Sequence, residues 1–213
     1  MTRFYRKTLT LDDGTEIPLR QIGKGMFSKA YVTESGKPTV YLITREEGAG
    51  DYSKRVLADI NEETRSTYLP RVVDIGCLGD GSCVYRMPLY EAPLRKAGHP
   101  KAWAQYRVLK RCWDDASERV MADMRKRFGW RDAARQYRYR GHQIMNEVID
   151  CARDERVSPA LINALELLRD GSADYGADYS FEFSPRNLAT SGRDQLILLD
   201  TVFSLESVAK ARR

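Results

Sequence analysis

The chain has 213 residues, enough for one large domain or two small lobes around a real core. It is 42% hydrophobic and 31% charged, and no apolar run approaches the roughly 18 residues of a membrane span, which excludes a helical integral membrane protein. The formal net charge is +5, and the charged opening MTRFYRKTLTLDDG is no secretory signal, so the expected compartment is the cytoplasm, with no membrane partner.

The chain opens with RFYRKTLTL, residues 3–11, which alternates loosely and runs into the turn signal DDGT; EIPLRQI follows as a second predicted strand. IGKGMFSKAYVT is a glycine-punctuated turn between strands, and TVYLIT is a β-branched strand, so the first 45 residues predict an antiparallel meander. In DYSKRVLADIN, residues 51–61, the period changes: Val56, Leu57 and Ile60 share one helical face, and Asp51 is placed to cap it. YLPRVVDIGCL, GDGS and CVYRMPLY predict a hairpin. EAPLRKAGHP, with two prolines and a glycine, predicts a linker, which sets the division into 1–90 and 91–213.

Beyond the linker the periodicity is helical. Trp103, Tyr106, Leu109, Trp113, Val120, Met124 and Phe128 recur at helical spacing, and a second amphipathic helix follows with a break expected at Gly141. Ser158 and Pro159 form an N-cap and first-turn proline for a third helix, expected to stop at Gly171. The chain then turns through SPRN and TSGRD and closes with the strand QLILLD. Cys77, Cys83, Cys112 and Cys151 form no CxxC pair, which argues against zinc; reduced thiols are expected, although Cys77 and Cys83 flank a turn and can face each other across it. Charge is uneven: between Arg95 and Arg140 fourteen Lys/Arg face five acids, a candidate surface for an acidic partner. A nucleic-acid role for this stretch is disfavoured, because such a run is more often a solvated helix face.

Three signals in fixed order suggest chemistry. Gly23-Lys24-Gly25-Met26-Phe27-Ser28 lies between two strands; its glycines let backbone N–H groups approach phosphates, and Phe27 can cover them. No helix follows directly, which argues against a Walker-type loop. Glu182 and Asn187 are five residues apart with Pro185 between them, and Asp200 follows thirteen residues after Asn187. A carboxylate, an amide and a second carboxylate at loop and strand ends suit a nucleotide-borne Mg²⁺, which wants few, hard oxygen ligands. Asn187 and Asp200 are the expected metal-binding pair, and Glu182 is left to orient a hydroxyl nucleophile.

FEFSPRNLA resembles the catalytic loop of protein kinases, H-R-D-L-x-x-x-N, with Asp200-Thr201-Val202 where that family has D-F-G and the glycine turn where it has G-x-G-x-x-G. Within the superfamily IGKGMFSKAY and the D-T-V end look most like the small serine/threonine kinases, or pseudokinases, of tailed bacteriophages. The resemblance implies an α+β, two-lobed fold: a small antiparallel-sheet N-lobe with one helix, and a truncated, mostly helical C-lobe. It implies ATP and Mg²⁺ as ligands and a Ser/Thr protein kinase acting on a host protein. The departures are specific. Glu182 stands for the family's Asp, Ser184 for a usual Lys, and the strand VYLITRE has no Lys, leaving Arg45 as the residue to neutralise phosphate charge. Asp59 or Glu62 is offered as the helix acid that would partner it. The chain ends thirteen residues after Asp200, without room for an activation segment. These departures support the alternative, a catalytically impaired pseudokinase that binds and inhibits a host partner through the basic helices. A small-molecule kinase of the aminoglycoside type suits the missing activation segment, but no acidic substrate pocket is legible in the sequence.

Overall fold

The computed structural model describes residues 5–11, 13–25, 28–44, 52–175 and 179–211. The N-terminal half is built on one antiparallel sheet. Its strands are β1 (Arg6–Thr10), β2 (Glu16–Lys24), β3 (Ser28–Thr33), β4 (Thr39–Thr44), β5 (Val73–Cys77) and β6 (Cys83–Pro88), in the order β1-β2-β3-β4-β6-β5. The predicted meander is thus present, and the hairpin β5–β6 adds to its β4 edge rather than standing apart. Period-two alternation assigns the faces. Val40 and Leu42 of β4 enter the main core, while Tyr41 joins Leu9, Leu19, Tyr31 and Val84 in a second, smaller cluster on the opposite face.

Helix α1 (Tyr52–Glu63) follows β4, and the expected face is buried: Val56 and Leu57 are almost fully enclosed. The C-terminal half is mostly helical, with α2 (Pro100–Tyr137), α3 (Gly141–Asp154), α4 (Pro159–Ala173) and α5 (Leu205–Ala211). Four short strands accompany them: β7 (Tyr179–Phe181), β8 (Ala189–Ser191), β9 (Gln195–Ile197) and β10 (Val202–Ser204). A small sheet-based half and a larger helical half are therefore what the structure has, as the α+β, two-lobed expectation states. Both contribute to one continuous core, which runs from Val40, Leu42 and Tyr85 of the sheet through Leu57 to Leu109, Ile144 and Leu168 of the helices. No helix among the described residues is long and apolar enough to cross a membrane.

One glycine behaves differently from expectation. Gly171 does not stop α4, which continues to Ala173; a Cβ there would meet Ile60 of α1 at 3.0 Å, so this glycine serves the α1–α4 contact. The break in the long helical stretch falls at Gly129, whose φ of 72° is left-handed, and again at a 3₁₀ turn (Arg138–Arg140) just before Gly141. Gly141 itself opens α3 against β7, where a Cβ would lie 2.5 Å from the Tyr179 carbonyl oxygen. Burial pushes the phenol of Tyr179 up to about 12, so it stays neutral as it packs edge-on to Phe181. The Ser158 hydroxyl caps α4 by accepting from the Leu161 N–H, as its sequence position requires.

The cysteines correct the expectation of reduced thiols. Cys77 and Cys83 pair across the β5–β6 turn, and Cys112 of α2 pairs with Cys151 of α3, leaving no free cysteine. The first pair follows from their being register partners on adjacent strands. The second joins two helices whose buried faces adjoin, a contact that no local spacing announces.

Two outcomes follow from these contacts. Gly141→Ala should lower stability by about 1–3 kcal/mol in urea denaturation, because backbone rather than a flexible side chain obstructs the new methyl group. Protein purified without reductant and denatured should titrate no thiols with a chromogenic disulfide reagent, and four after reduction.

Candidate functional site

The segment from β7 to β10 folds as two interleaved ribbons. β7 pairs with β10, Phe181 opposite Val202, and β8 pairs with β9, Ala189 opposite Ile197. Between β7 and β8 the chain passes Glu182 and enters a 3₁₀ turn (Pro185–Asn187), started by Pro185 with its preset φ and closed by the Asn187 N–H on the Ser184 carbonyl at 2.9 Å. The predicted linker holds this turn in place. The Leu94 N–H donates to the carbonyls of Pro185 and Leu188, and Glu91 and Thr190 exchange backbone hydrogen bonds. The segment after α1 holds the other side, the Leu198 N–H donating to the Tyr68 carbonyl at 2.8 Å.

These constraints bring the three predicted residues together. The Asp200 N–H donates to the Asn187 carbonyl at 2.9 Å, and the Glu182 N–H donates to the Thr201 carbonyl, also at 2.9 Å. Residues separated by thirteen and nineteen positions therefore meet through their main chains. The Glu182 carboxylate is engaged by its own loop: Oε1 accepts from Arg186 Nη2 at 2.9 Å, in an exposed i,i+4 pair.

The sequence reading missed Lys54. This residue of α1 is 5% exposed, and its ammonium donates to the Leu199 carbonyl at 3.0 Å and to Asp200 Oδ1 at 3.1 Å. The two partners are unequally buried, the lysine side chain at 7% exposure and the aspartate at 56%, so a nearly enclosed cation holds a carboxylate that faces outward. The signal lay in the period of α1: Lys54 stands three positions before Leu57 and four before Ala58, on the apolar side of the helix. Asp59 and Glu62, the acids expected to act from this helix, are exposed instead, and Glu62 lines a recess with Asn61 and Arg65 against Val72–Asp74. Within the described residues α1 offers a cation to Asp200.

The glycine turn is described in part. Gly23 and Lys24 end β2, Gly25 bonds through its N–H to the Ser28 carbonyl at 2.8 Å, and Ser28 begins β3. Lys24, Gly25 and Ser28 line a recess with Asp80 and Ser82 on the side of Tyr31 and Ile43. No hydrogen bond or ion pair among the described residues links this turn to Asn187 or Asp200. Met26, Phe27 and Arg45 lie outside the described residues.

The donor set suits a metal that arrives with phosphate. Among the described residues no group of three His, Cys, Asp or Glu side chains gathers to hold a metal by itself. Mg²⁺ carried by a nucleotide needs only one or two protein carboxylates, its other ligands being phosphate oxygens and water. Ser53, Ser184 and Thr201, next in chain to Lys54, Pro185 and Asp200, each have a hydroxyl oxygen without a hydrogen-bond partner among the described residues. Elsewhere, a groove between α2 and α3 is lined by Asp115, Glu118, Glu147, Asp150, Asp154 and Glu155, so an acidic concavity absent from the sequence reading does exist. Arg119 and Arg153 partly neutralise it.

No family model and no curated protein matches the chain. Among solved structures it is similar to a thermostable mutant of aminoglycoside phosphotransferase APH(4)-Ia in the apo form, at 18% identity, with 90% of this chain and 71% of that chain covered and a TM-score of 0.38. A ternary complex of that enzyme with AMP-PNP and hygromycin B gives 17% identity, 90% and 70% coverage and the same TM-score. At this level of likeness the fold description rests on the strand order and contacts given above.

The unequal burial of the central ion pair sets an asymmetric expectation. Asp200→Ala should destabilise the protein by about 2 kcal/mol in urea titration, because it leaves an enclosed ammonium with one carbonyl acceptor. Lys54→Met keeps the shape of the stem and leaves a carboxylate already facing water, so its cost should stay below about 1 kcal/mol.

Proposed function

We propose that the chain binds Mg²⁺–ATP where Asn187 and Asp200 meet and transfers the terminal phosphoryl group to a hydroxyl, as a Ser/Thr protein kinase of the bacteriophage type. The observation that carries this reading is the convergence of Glu182, Asn187 and Asp200 through the two backbone hydrogen bonds at their loop ends. Asp200 and Asn187 would hold the metal, which when bound neutralises phosphate charge. Glu182 would accept the hydroxyl proton or orient the nucleophile, once its carboxylate leaves the exposed Arg186 pair. Gly23 to Ser28 would cover the phosphates, and Arg45 or Lys54 would supply the compensating positive charge, of which Lys54 already touches Asp200.

The protein substrate would dock on the basic helices between residues 95 and 140, in the host cytoplasm. What supports this is the arm around Gly129. Residues 125–132 are all exposed, and from Arg125 to Arg140 seven Lys/Arg face the single acid Asp132. Trp130 is 75% exposed, with the Arg125 guanidinium 4.1 Å above its ring. Such a surface suits an acidic protein segment, with association that weakens as salt rises.

A second reading, the pseudokinase that captures and inhibits a host partner, is favoured by one specific observation. Both candidate carboxylates are already ion-paired, Glu182 with Arg186 and Asp200 with Lys54.

Thermal-shift and labelled-ATP measurements separate the readings. Mg²⁺–ATP at about 100 times its dissociation constant should stabilise the protein by about 2.7 kcal/mol, and Asp200→Ala should abolish the gain. Glu182→Gln should keep the thermal shift and lose phosphoryl transfer by about 100-fold or more. Binding without any transfer by the unmodified protein selects the pseudokinase, and no thermal shift at all rejects both versions of the nucleotide site.

A further inference from the structure

The Lys54–Asp200 pair has a consequence for the order in which ligands can enter, an inference that rests on the reading of Asp200 as a metal ligand. The lysine stem is enclosed, and its ammonium is fixed by acceptors on two consecutive residues, Leu199 and Asp200. Of the two, the Leu199 carbonyl is neutral and Asp200 carries the charge. The ammonium has three N–H groups and uses two of them on described acceptors, so one remains to be given to another anion without loss of the carbonyl anchor. A divalent cation that arrives alone must share or displace this carboxylate against a fixed positive charge within hydrogen-bond distance of it. The ammonium is enclosed while the carboxylate faces solvent, so the repulsion is partly screened on the outer side and is strongest for a metal seated on the oxygen that Lys54 holds. A divalent cation that arrives on a polyphosphate brings excess negative charge, and the ammonium can turn to a phosphate oxygen as the metal takes the carboxylate.

We propose that Lys54 is a resident counter-cation that makes metal binding at Asp200 conditional on nucleotide. Free metal is held off by the ammonium. Metal–nucleotide is accepted because Lys54 exchanges the Asp200 carboxylate for phosphate while keeping its bond to the Leu199 carbonyl. Lys54 is thus a positioning residue in the unliganded protein and a phosphate contact in the liganded one. No covalent bond is made or broken in the exchange: the Lys54–Asp200 hydrogen-bonded ion pair gives way to a Lys54–phosphate pair, and the Asp200 carboxylate replaces a water ligand on the metal.

The test measures Mn²⁺ binding, by electron paramagnetic resonance, to the full chain and to Lys54→Met, with and without AMP-PNP. Free Mn²⁺ should bind at least about 10-fold more tightly to Lys54→Met than to the unmodified protein, and Mn²⁺–AMP-PNP at least about 10-fold more weakly. Lys54→Arg, which keeps the charge, should leave free Mn²⁺ as weak as in the unmodified protein. Unchanged or weaker binding of free Mn²⁺ to Lys54→Met overturns the proposal, and so does tighter metal binding with undiminished Mn²⁺–AMP-PNP affinity. Absence of Mn²⁺–AMP-PNP binding to the unmodified protein instead rejects the nucleotide reading itself, a distinct result. Should Lys54→Met not fold, the unmodified protein decides the matter by ¹⁵N NMR of lysine ammonium groups. The enclosed Lys54 signal should move with Mg²⁺ plus AMP-PNP and stay in place with Mg²⁺ alone; movement with Mg²⁺ alone, or none with both, overturns the exchange.

Discussion

Two backbone hydrogen bonds, Asp200 N–H to the Asn187 carbonyl and Glu182 N–H to the Thr201 carbonyl, are what the candidate site depends on. They fix where three loop-borne side chains begin, and main-chain bonds of this kind do not change when those side chains are substituted. Around them the fold supplies restraint from both halves of the chain. The linker grips the Pro185–Asn187 turn through Leu94, and the segment after α1 grips Leu198 through Tyr68. Tyr68 is in turn anchored by its hydroxyl to Ser158 and Gln105, so the cap of α4 and the segment leading to Asp200 share one support.

Electrostatics then decides how this scaffold is used. Each acid of the constellation has a cation, but the two pairs differ in kind. Glu182 and Arg186 are local, solvent-facing and easily separated, the sort of pair that contributes little to stability. Lys54 and Asp200 are 146 residues apart and one partner is enclosed, so this pair ties α1 to the segment between β9 and β10 as well as balancing charge.

How much of this could be read beforehand depended on the range of the interaction. TVYLIT matched β4 residue for residue, because alternation is a local signal, and the Ser158 cap was equally local. The convergence of the candidate residues Glu182, Asn187 and Asp200 was legible because their spacing within one twenty-residue stretch is itself local information. Lys54 was not, because the helical period shows that it lies on the apolar side but not what it meets there. Gly171 was taken for a helix stop because its partner, Ile60, is remote in sequence. Cys112 and Cys151 likewise pair only through the packing of α2 on α3. The ribbons β7, β8 and β10 are three residues each, too short for any period to show.

The uninterrupted apolar core has a consequence for how the molecule comes apart. Val40, Leu42 and Tyr85 of the sheet belong to the same cluster of buried apolar residues as Leu57, Leu109 and Leu168 of the helices. Opening one half away from the other would expose hydrocarbon on both sides of the parting surface at once. The two halves are therefore expected to melt together, with an element as remote as β4 helping to set how long the segment carrying Asp200 stays protected from amide exchange.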